Sequence, residues 1–281
     1  MTRSPATLPL LALAGALAVG PSPAAAWSTQ GHRVAAAVAE ERLTPAARRL
    51  VRELLGATPM SDARVAGWAD AQREPATRPW HYVNIPPGAA GYVRERDCPG
   101  DACIVAAMER AVAELRDGDS AVRRADAFRW LVHLAADVHQ PLHADGRDRG
   151  GTELETRTRG GKRPRSLHRV WDEDVLRPIL YRRGAVAAGR ALAREVRGPE
   201  AARAAAEPSP AAWANESHAL ARALYAELEP LPREGRSLVL PDAYPDRQRA
   251  RAEAQLQKAG VRLAALLDRI ALAREARAGR R

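Results

Sequence analysis

The sequence has no apolar segment long enough to cross a membrane. The apolar stretch near its amino terminus, from Leu8 to Val19, is shorter than the about 20 residues that a membrane-spanning helix needs. Later segments are interrupted by charged residues. These absences argue against an integral membrane protein, and we expect no stable association with a membrane.

Cysteine is also scarce, since the 281 residues include only Cys98 and Cys103. This pair cannot organise a whole fold, but in an exported protein it could close the short loop between the two residues as a local disulfide. Two reduced thiols are the alternative.

Strand patterns are rare and internal repeats are absent. The best strand candidate is residues 152–159, which precede Gly160 and Gly161 and so predict a small hairpin. Helical periodicity dominates the rest of the chain. The predicted helices cover residues 28–42, 45–55, 104–116, 121–139, 171–182, 184–197, 213–228 and 246–275. We therefore predict an all-α fold, a single mostly helical domain with one small β-hairpin, in which residues 198–212 form a connection.

The first 26 residues have the pattern of a secretory signal peptide. Arg3 gives a positive start, the apolar stretch follows, and Ala24 to Ala26 form an A-x-A cleavage site. We predict cleavage after Ala26, export to a periplasm or out of the cell, and a mature domain of residues 27–281. The alternative is an apolar amino-terminal helix that stays attached.

The net charge of the chain is +10. A basic protein favours anionic partners such as nucleic acid or acidic lipid. Because alanine and arginine are abundant throughout the sequence, this charge is weak evidence on its own.

Two histidine–aspartate pairs suggest a metal site. His133 and Asp137 are four residues apart on one predicted helix, and His168 and Asp172 repeat this spacing. Residues four apart lie on the same helix face, so each pair directs an imidazole nitrogen and a carboxylate oxygen toward one point. Zinc suits that ligand mixture best. For a single pair the alternative is a buried histidine hydrogen-bonded to a carboxylate, but a second pair and the nearby His143 favour metal.

Several short motifs make the chain resemble the secreted zinc-dependent single-strand nucleases of fungi, plants and bacteria, the nuclease S1/P1 type. This family is distantly similar in fold to the zinc phospholipases C. The matching stretches are WSTQGH, WADAQR, HYVNIP, LVHLAADVHQPLH, LHRVWD, WANES and QLQKAGVRLAALL. They run from Trp27 to about Ile270, nearly the whole predicted mature chain.

The resemblance implies three zinc ions per chain. The first would be bound by Asp70, His81, His133 and Asp137. The second would be bound by His143, His168 and Asp172. The third would be bound by His32, Asp137 and the amino nitrogen and carbonyl oxygen of Trp27. Asp137 would thus bridge two ions.

The implied role of Trp27 connects metal binding to signal-peptide cleavage. A free α-amino group has a pKa near 7.7–8.0, so losing its proton to bind a metal at neutral pH costs only about a kcal/mol. The nitrogen of an uncleaved peptide bond offers no usable lone pair. Cleavage after Ala26 would therefore create a ligand that the precursor lacks.

The resemblance further implies an endonuclease that hydrolyses single-stranded DNA and RNA to 5′-phosphate products, with 3′-nucleotidase activity. Asp70 and Asp137 would belong to its catalytic centre. Arg73, one turn after Asp70, could meet phosphate charge, or it could be a solvated surface arginine. Tyr82 would stack on a base, unless it packs in the core, and Asn84 would contact the base edge.

The main alternative function is a zinc phospholipase C, which would use the same cluster on phospholipid head groups. In that branch the last carboxylate of the second site is typically glutamate, whereas this chain has Asp172. A third possibility is an exported protein that sequesters zinc without catalysis. No obligate protein partner is evident from the sequence.

Overall fold

The computed structural model describes residues 27–72, 74–159, 163–207 and 209–280. These residues are mostly helical with a small sheet, which confirms the predicted fold class. The predicted signal peptide, Arg73 and the glycines Gly160 and Gly161 lie outside the described residues. No helix in the described part of the chain combines the length and apolar character needed to span a bilayer.

The helices follow one another with few strands between them. The α-helices are α1 (Thr29–Glu40), α2 (Pro45–Leu55), α3 (Ala63–Ala66), α4 (Arg94–Asp97), α5 (Ile104–Asp117), α6 (Ala121–Asp137), α7 (Asp148–Gly151), α8 (Leu167–Arg169), α9 (Arg177–Leu180), α10 (Ala185–Glu195), α11 (Gly198–Ala206), α12 (Pro210–Leu228) and α13 (Tyr244–Ala278). Short 3₁₀ turns span Ala69–Ala71, Pro75–His81, Pro99–Asp101 and Pro141–Ala144, and one π-helical turn spans Val170–Asp174.

Local signals in the sequence explain where several helices begin. Thr44, Ser120 and Ser209 each precede a helix, and their hydroxyl oxygens accept a hydrogen bond from a first-turn backbone N–H. Such caps satisfy N–H groups that have no partner inside the helix.

Two buried apolar clusters make up the core. One lies mainly among α2, α5 and α6, and the other lies among α10, α12 and the sheet. Helices α1 and α13 contribute residues to both clusters, so they lie between them. Gly260 of α13 faces α1 so closely that a Cβ there would overlap the Val38 side chain. Small residues at this crossing let the two helices pack tightly, which holds α1 against the core.

The sheet is larger than the predicted hairpin. Strands β1 (Glu155–Thr158) and β2 (Arg165–Ser166) pair antiparallel, as the sequence predicted. Strands β3 (Arg233–Glu234) and β4 (Ser237–Leu240) extend them into a sheet of order β2-β1-β4-β3, with β1 and β4 parallel. Strand β4 is only four residues long. A short apolar segment of this kind has no periodicity that separates a strand from a connecting loop.

Two other secondary-structure predictions were wrong. The helix predicted over residues 171–182 is split into the π-helical turn and α9. Pro178 has no N–H and cannot bond back along a continuous helix, which explains the break. Residues 198–212, predicted as a connection, contain α11. Its Pro199 lies in the first helical turn, where proline is well tolerated.

A disulfide joins Cys98 and Cys103, as predicted. The two cysteines flank the short turn Pro99–Asp101, and both are buried. The bond fixes this loop next to the start of α5.

Candidate metal centre

The centre is built around the carboxyl end of α6. His133 and Asp137 lie one turn apart on the same face of this helix, and both are completely buried. Pro141 begins a new turn shortly after α6 ends, and this turn brings His143 back toward Asp137. The end of the helix before Pro141 therefore brings three of the predicted ligands, His133, Asp137 and His143, close together.

Four predicted ligands lie together around the His133 imidazole. The His133 Nε2 atom lies 3.1 Å from the Asp137 Oδ2 and 3.5 Å from the Asp70 Oδ1. The His81 Nδ1 lies 3.0 Å from the Asp137 Oδ2 and 3.1 Å from the His133 Nε2. The structure thus brings together all four residues predicted for the first site.

The two carboxylate oxygens of Asp137 face different neighbours. Oδ2 faces His133 and His81, whereas Oδ1 lies 3.4 Å from the His32 Nε2 and 4.0 Å from the His143 Nδ1. The His32 ring also stacks on the His133 ring, with centroids 3.8 Å apart. This is the arrangement that a carboxylate shared between two ligand groups requires.

A separate group is formed by His143, His168 and Asp172, whose candidate ligand atoms all lie within 4.8 Å of one another. The His168 Nε2 is 3.3 Å from the Asp172 Oδ2, and the His143 and His168 rings stack at 5.0 Å. Helix α8 and the π-helical turn that follows it carry His168 and Asp172. The predicted four-residue spacing therefore holds, although the helix between them is not regular.

Backbone carbonyls fix the orientation of three imidazoles. The Nδ1–H groups of His133, His143 and His168 donate to the carbonyl oxygens of Ala66, His81 and Gly150, at 2.9, 2.7 and 2.6 Å. A ring that donates from Nδ1 offers the lone pair of Nε2, and metal-bound histidines are commonly oriented in this way.

The donor set fits zinc. The buried ligand atoms His32 Nε2, His143 Nε2, His168 Nε2 and Asp137 Oδ1 have no hydrogen-bond partner among the described residues. Buried polar atoms are seldom left without one. Zinc bonds of 2.0–2.2 Å in a tetrahedron place neighbouring ligand atoms roughly 3.3 Å apart. The contacts of 3.0–3.5 Å among these atoms match that spacing, and the candidate ligand atoms of each group lie within 4.8 Å of one another.

Burial also favours neutral imidazoles at most of these positions. It lowers the pKa of His32 and His143, and together with the neighbouring His143 it lowers the pKa of His168 to about 3. At His133, burial is outweighed by Asp137 and Asp70, which raise its pKa to about 9. Burial raises the pKa of Asp172 well above its usual range, despite the hydrogen bond from Gln140.

Trp27 lies beside the second group of ligands. Its side chain is completely buried, and its ring centroid is 6.2 Å from that of Trp171. The backbone N–H of the next residue, Ser28, donates to the carbonyl oxygen of Asp172 at 3.1 Å. Trp27 is therefore anchored beside this group of candidate ligands.

Tyr82 and Asn84 follow the ligand His81 on an extended segment. Tyr82 and Asn84 are exposed, whereas Val83 and Ile85 between and after them are buried. Side chains two residues apart on an extended segment point to the same side. The two predicted base contacts thus share one exposed face next to the centre, and Tyr82 is not a core residue.

The structure adds Gln140 to the site, which sequence reasoning missed. Its side-chain amide donates to the Asp172 Oδ1 at 2.9 Å and its carbonyl accepts from the Leu142 N–H. Nothing in the local sequence separates Gln140 from a surface glutamine. His139, by contrast, points away from the centre, where it donates to the Ala135 carbonyl and accepts from Arg262.

The carbonyl oxygen that orients His168 belongs to Gly150, which lies in a tight turn. Gly150 has a φ of +65°, and a Cβ there would lie 2.6 Å from the Leu142 carbonyl oxygen. The substitution Gly150→Ala is expected to move the Gly150 carbonyl away from His168. Zinc affinity at the group of His143, His168 and Asp172 is then expected to fall by about 10- to 100-fold. Zinc titration with a competing chelator measures this change.

Gly184→Ala is the matched control, because Gly184 also has a positive φ (+71°) but has open space around it. It introduces the same backbone strain without disturbing a ligand. Equal zinc affinity in the two variants would contradict the role of the Gly150 carbonyl.

The family model for the S1/P1 nuclease matches residues 27–272. Among curated proteins, the chain is 27% identical to Nuclease S1 of Aspergillus oryzae over 157 residues, 53% of this chain and 54% of that protein. It is 30% identical to Nuclease P1 of Penicillium citrinum over 155 residues, 52% of this chain and 57% of that protein. It is 28% identical to Endonuclease 2 of Arabidopsis thaliana over 165 residues, 53% of this chain and 56% of that protein.

The chain thus spans about half the length of the curated relatives it matches. The family model, however, covers every predicted metal ligand from Trp27 to Asp172, together with the helices that carry them. On this match the chain belongs to the S1/P1 nuclease family.

Proposed function

We propose that this protein is an exported, zinc-dependent endonuclease that cleaves single-stranded DNA and RNA to 5′-phosphate products and also removes 3′-phosphates from nucleotides. The observation that carries the proposal is the largely buried cluster of histidine and aspartate side chains around Asp137. The names of the relatives, nucleases and endonucleases, support the reaction class.

The ligands divide among three ions as the resemblance implies. Asp70, His81 and His133 would hold the first ion, and His32 with the Trp27 amino terminus would hold the third. Asp137, whose two oxygens face these two ligand groups, would belong to both sites. His143, His168 and Asp172 would hold the second ion. This assignment accounts for the buried ligand atoms that have no hydrogen-bond partner within the described part of the chain.

Zinc at these positions supplies a Lewis acid that activates water and stabilises charge on the phosphate and on the leaving oxygen. The protein's own groups hold the ions in place. Asp137 and Asp70 neutralise part of the positive charge, and the carbonyls behind His133, His143 and His168 keep these three rings in one tautomer. Arg73, outside the described residues, is proposed to meet phosphate charge.

Substrate binding is proposed to use the exposed face of Tyr82 and Asn84. A tyrosine ring stacks on any base, which suits a single strand of arbitrary sequence. The Asn84 amide offers both a donor and an acceptor to the base edge. Export is proposed to end in cleavage after Ala26, so that residues 27–281 form the active domain.

The proposal predicts a zinc-dependent nuclease activity and no phospholipase C activity. The mature protein is expected to release nucleotides from single-stranded DNA and RNA and to lose nearly all of this activity after dialysis against a strong chelator. Zinc is expected to restore the activity and magnesium is not, because nitrogen ligands favour zinc. Phosphatidylcholine serves as the comparison substrate.

The outcomes separate the candidate functions. Cleavage of phosphatidylcholine without nucleotide release would support the zinc phospholipase C alternative. Metal binding without either activity would support zinc sequestration. Nucleotide release that survives complete removal of metal would contradict the proposed function.

A further inference from the structure

A charged groove lies next to the proposed base-binding face but outside the metal centre. It has a volume of about 450 Å³ and runs along one side of α12. Two arginines, Arg147 and Arg222, line it together with Pro87 and Glu229. A groove of this volume accommodates part of a nucleotide.

Backbone hydrogen bonds join the groove to the proposed substrate site. Pro87 follows Asn84 by three residues, which an extended chain covers in at most about 11 Å. The Gly146 N–H, one residue before Arg147, donates to the carbonyl oxygen of Ile85 at 2.9 Å. The segment that carries Asn84 and the segment that carries Arg147 therefore lie side by side, and the groove continues the same surface.

The Arg147 side chain is held in place before any ligand binds. Its guanidinium lies over the Tyr225 ring, 4.6 Å from the ring centroid, and the Tyr225 hydroxyl donates to the Arg147 carbonyl oxygen at 3.0 Å. Tyr225 is buried and belongs to α12. Because stacking on a buried ring limits the rotamers of Arg147, binding an anion costs it little further entropy.

The balance of charge in the groove is positive. Glu229 approaches Arg147 at 3.7 Å, but the glutamate side chain is 73% exposed, so this pair is screened by water and weak. Arg222 is exposed and forms no ion pair with any residue that the structure describes. Both guanidinium groups line the same groove, so an anion can bind there, and their shape matches that of phosphate oxygens.

Helix α12 also holds the two segments that border the groove. The Asn215 side-chain oxygen accepts from the Tyr92 N–H at 2.7 Å, and the His218 Nδ1 lies 3.0 Å from the Asp145 Oδ2. Both the His218 and Asp145 side chains are almost completely buried. The groove is thus a rigid part of the surface.

We propose that Arg147 and Arg222 form a phosphate subsite for the backbone of a single-stranded nucleic acid, one or two nucleotides beyond the base that contacts Tyr82 and Asn84. This inference rests on the proposed nuclease function. It implies that substrates longer than a dinucleotide gain affinity from the groove, whereas a dinucleotide does not reach it.

The experiment compares Arg222→Ala and the double variant Arg147→Ala/Arg222→Ala with the parent holoenzyme. The kcat/KM value is measured on a thymidine dinucleotide and on an eight-nucleotide DNA over a range of salt concentrations. Arg52→Ala is the matched control, because Arg52 is an exposed arginine on α2, which packs mainly on α13 and α6.

The expected result is a several-fold rise in KM on the eight-nucleotide DNA for both groove variants, with kcat and all dinucleotide values unchanged. The slope of log kcat/KM against log salt is expected to become shallower by about 0.7, because the variants neutralise one phosphate fewer than the parent does. Arg52→Ala is expected to behave as the parent does. Equal effects on both substrates, or no effect on either, would overturn the subsite.

Failure of the proposed function gives a different result. If the parent holoenzyme cleaves neither oligonucleotide, the nuclease proposal itself is wrong. Fluorescence anisotropy with the same two labelled oligonucleotides then tests the groove on its own. Weaker binding of only the longer strand to the groove variants supports the subsite, and unchanged binding overturns it.

Discussion

A protein with one extra residue before Trp27 is expected to bind two zinc ions rather than three and to lose about a hundredfold or more in kcat/KM, which corresponds to about 3 kcal/mol of transition-state stabilisation. The reason is chemical. The extension turns the proposed amine ligand into a peptide nitrogen without a usable lone pair.

The control keeps the free amine and changes the side chain. Trp27→Phe, produced with Phe as the first residue, is expected to keep three zinc ions and most of the activity, while its melting temperature falls because a large buried ring is replaced by a smaller one. Zinc content by atomic emission and N-terminal sequencing are measured on the same samples. Full zinc content and full activity in the extended protein would show that the third site does not use the Trp27 nitrogen.

Asp137→Asn is expected to remove two of the three zinc ions and to lower kcat/KM by about a thousandfold, or about 4 kcal/mol. The two Asp137 oxygens face His32 on one side and His133 with His81 on the other. An amide carries no charge and has one oxygen, so it cannot serve both groups.

Asp172→Asn is the matched control for this prediction, because it makes the same chemical change in the separate group with His143 and His168. It is expected to remove a single ion. Melting curves in excess chelator show whether either variant disturbs the metal-free fold. Loss of one ion from each variant would mean that Asp137 does not bridge.

Much of the fold followed from the sequence because its signals are local. The apolar periodicity of α2, α5 and α6 identified these helices within a few residues of their observed ends. Strand β4 was missed because its pairing with β1 joins segments about 80 residues apart, and no local pattern encodes that contact. Proline lies at the start of a helix in both corrected segments, since Pro178 is the second residue of α9 and Pro199 is the second residue of α11.

The candidate ligands were accessible to sequence reasoning for a similar reason. The spacing of His133 and Asp137, and of His168 and Asp172, places each pair on one helix face. The supporting groups were not accessible. The Ala66 and Gly150 carbonyls accept hydrogen bonds from His133 and His168 because of where the backbone places them, and every residue type has such a carbonyl. Gln140 and the groove around Arg147 depend on how distant segments pack.

The most direct test of the account is a crystal of the active, N-terminally sequenced protein measured at the zinc absorption edge. The account predicts three anomalous peaks. One lies among Asp70, His81 and His133, one lies among His143, His168 and Asp172, and one lies within bonding distance of the amino nitrogen of Trp27. Fewer than three zinc peaks in fully active protein, or an amino terminus that contacts no ion, would contradict it.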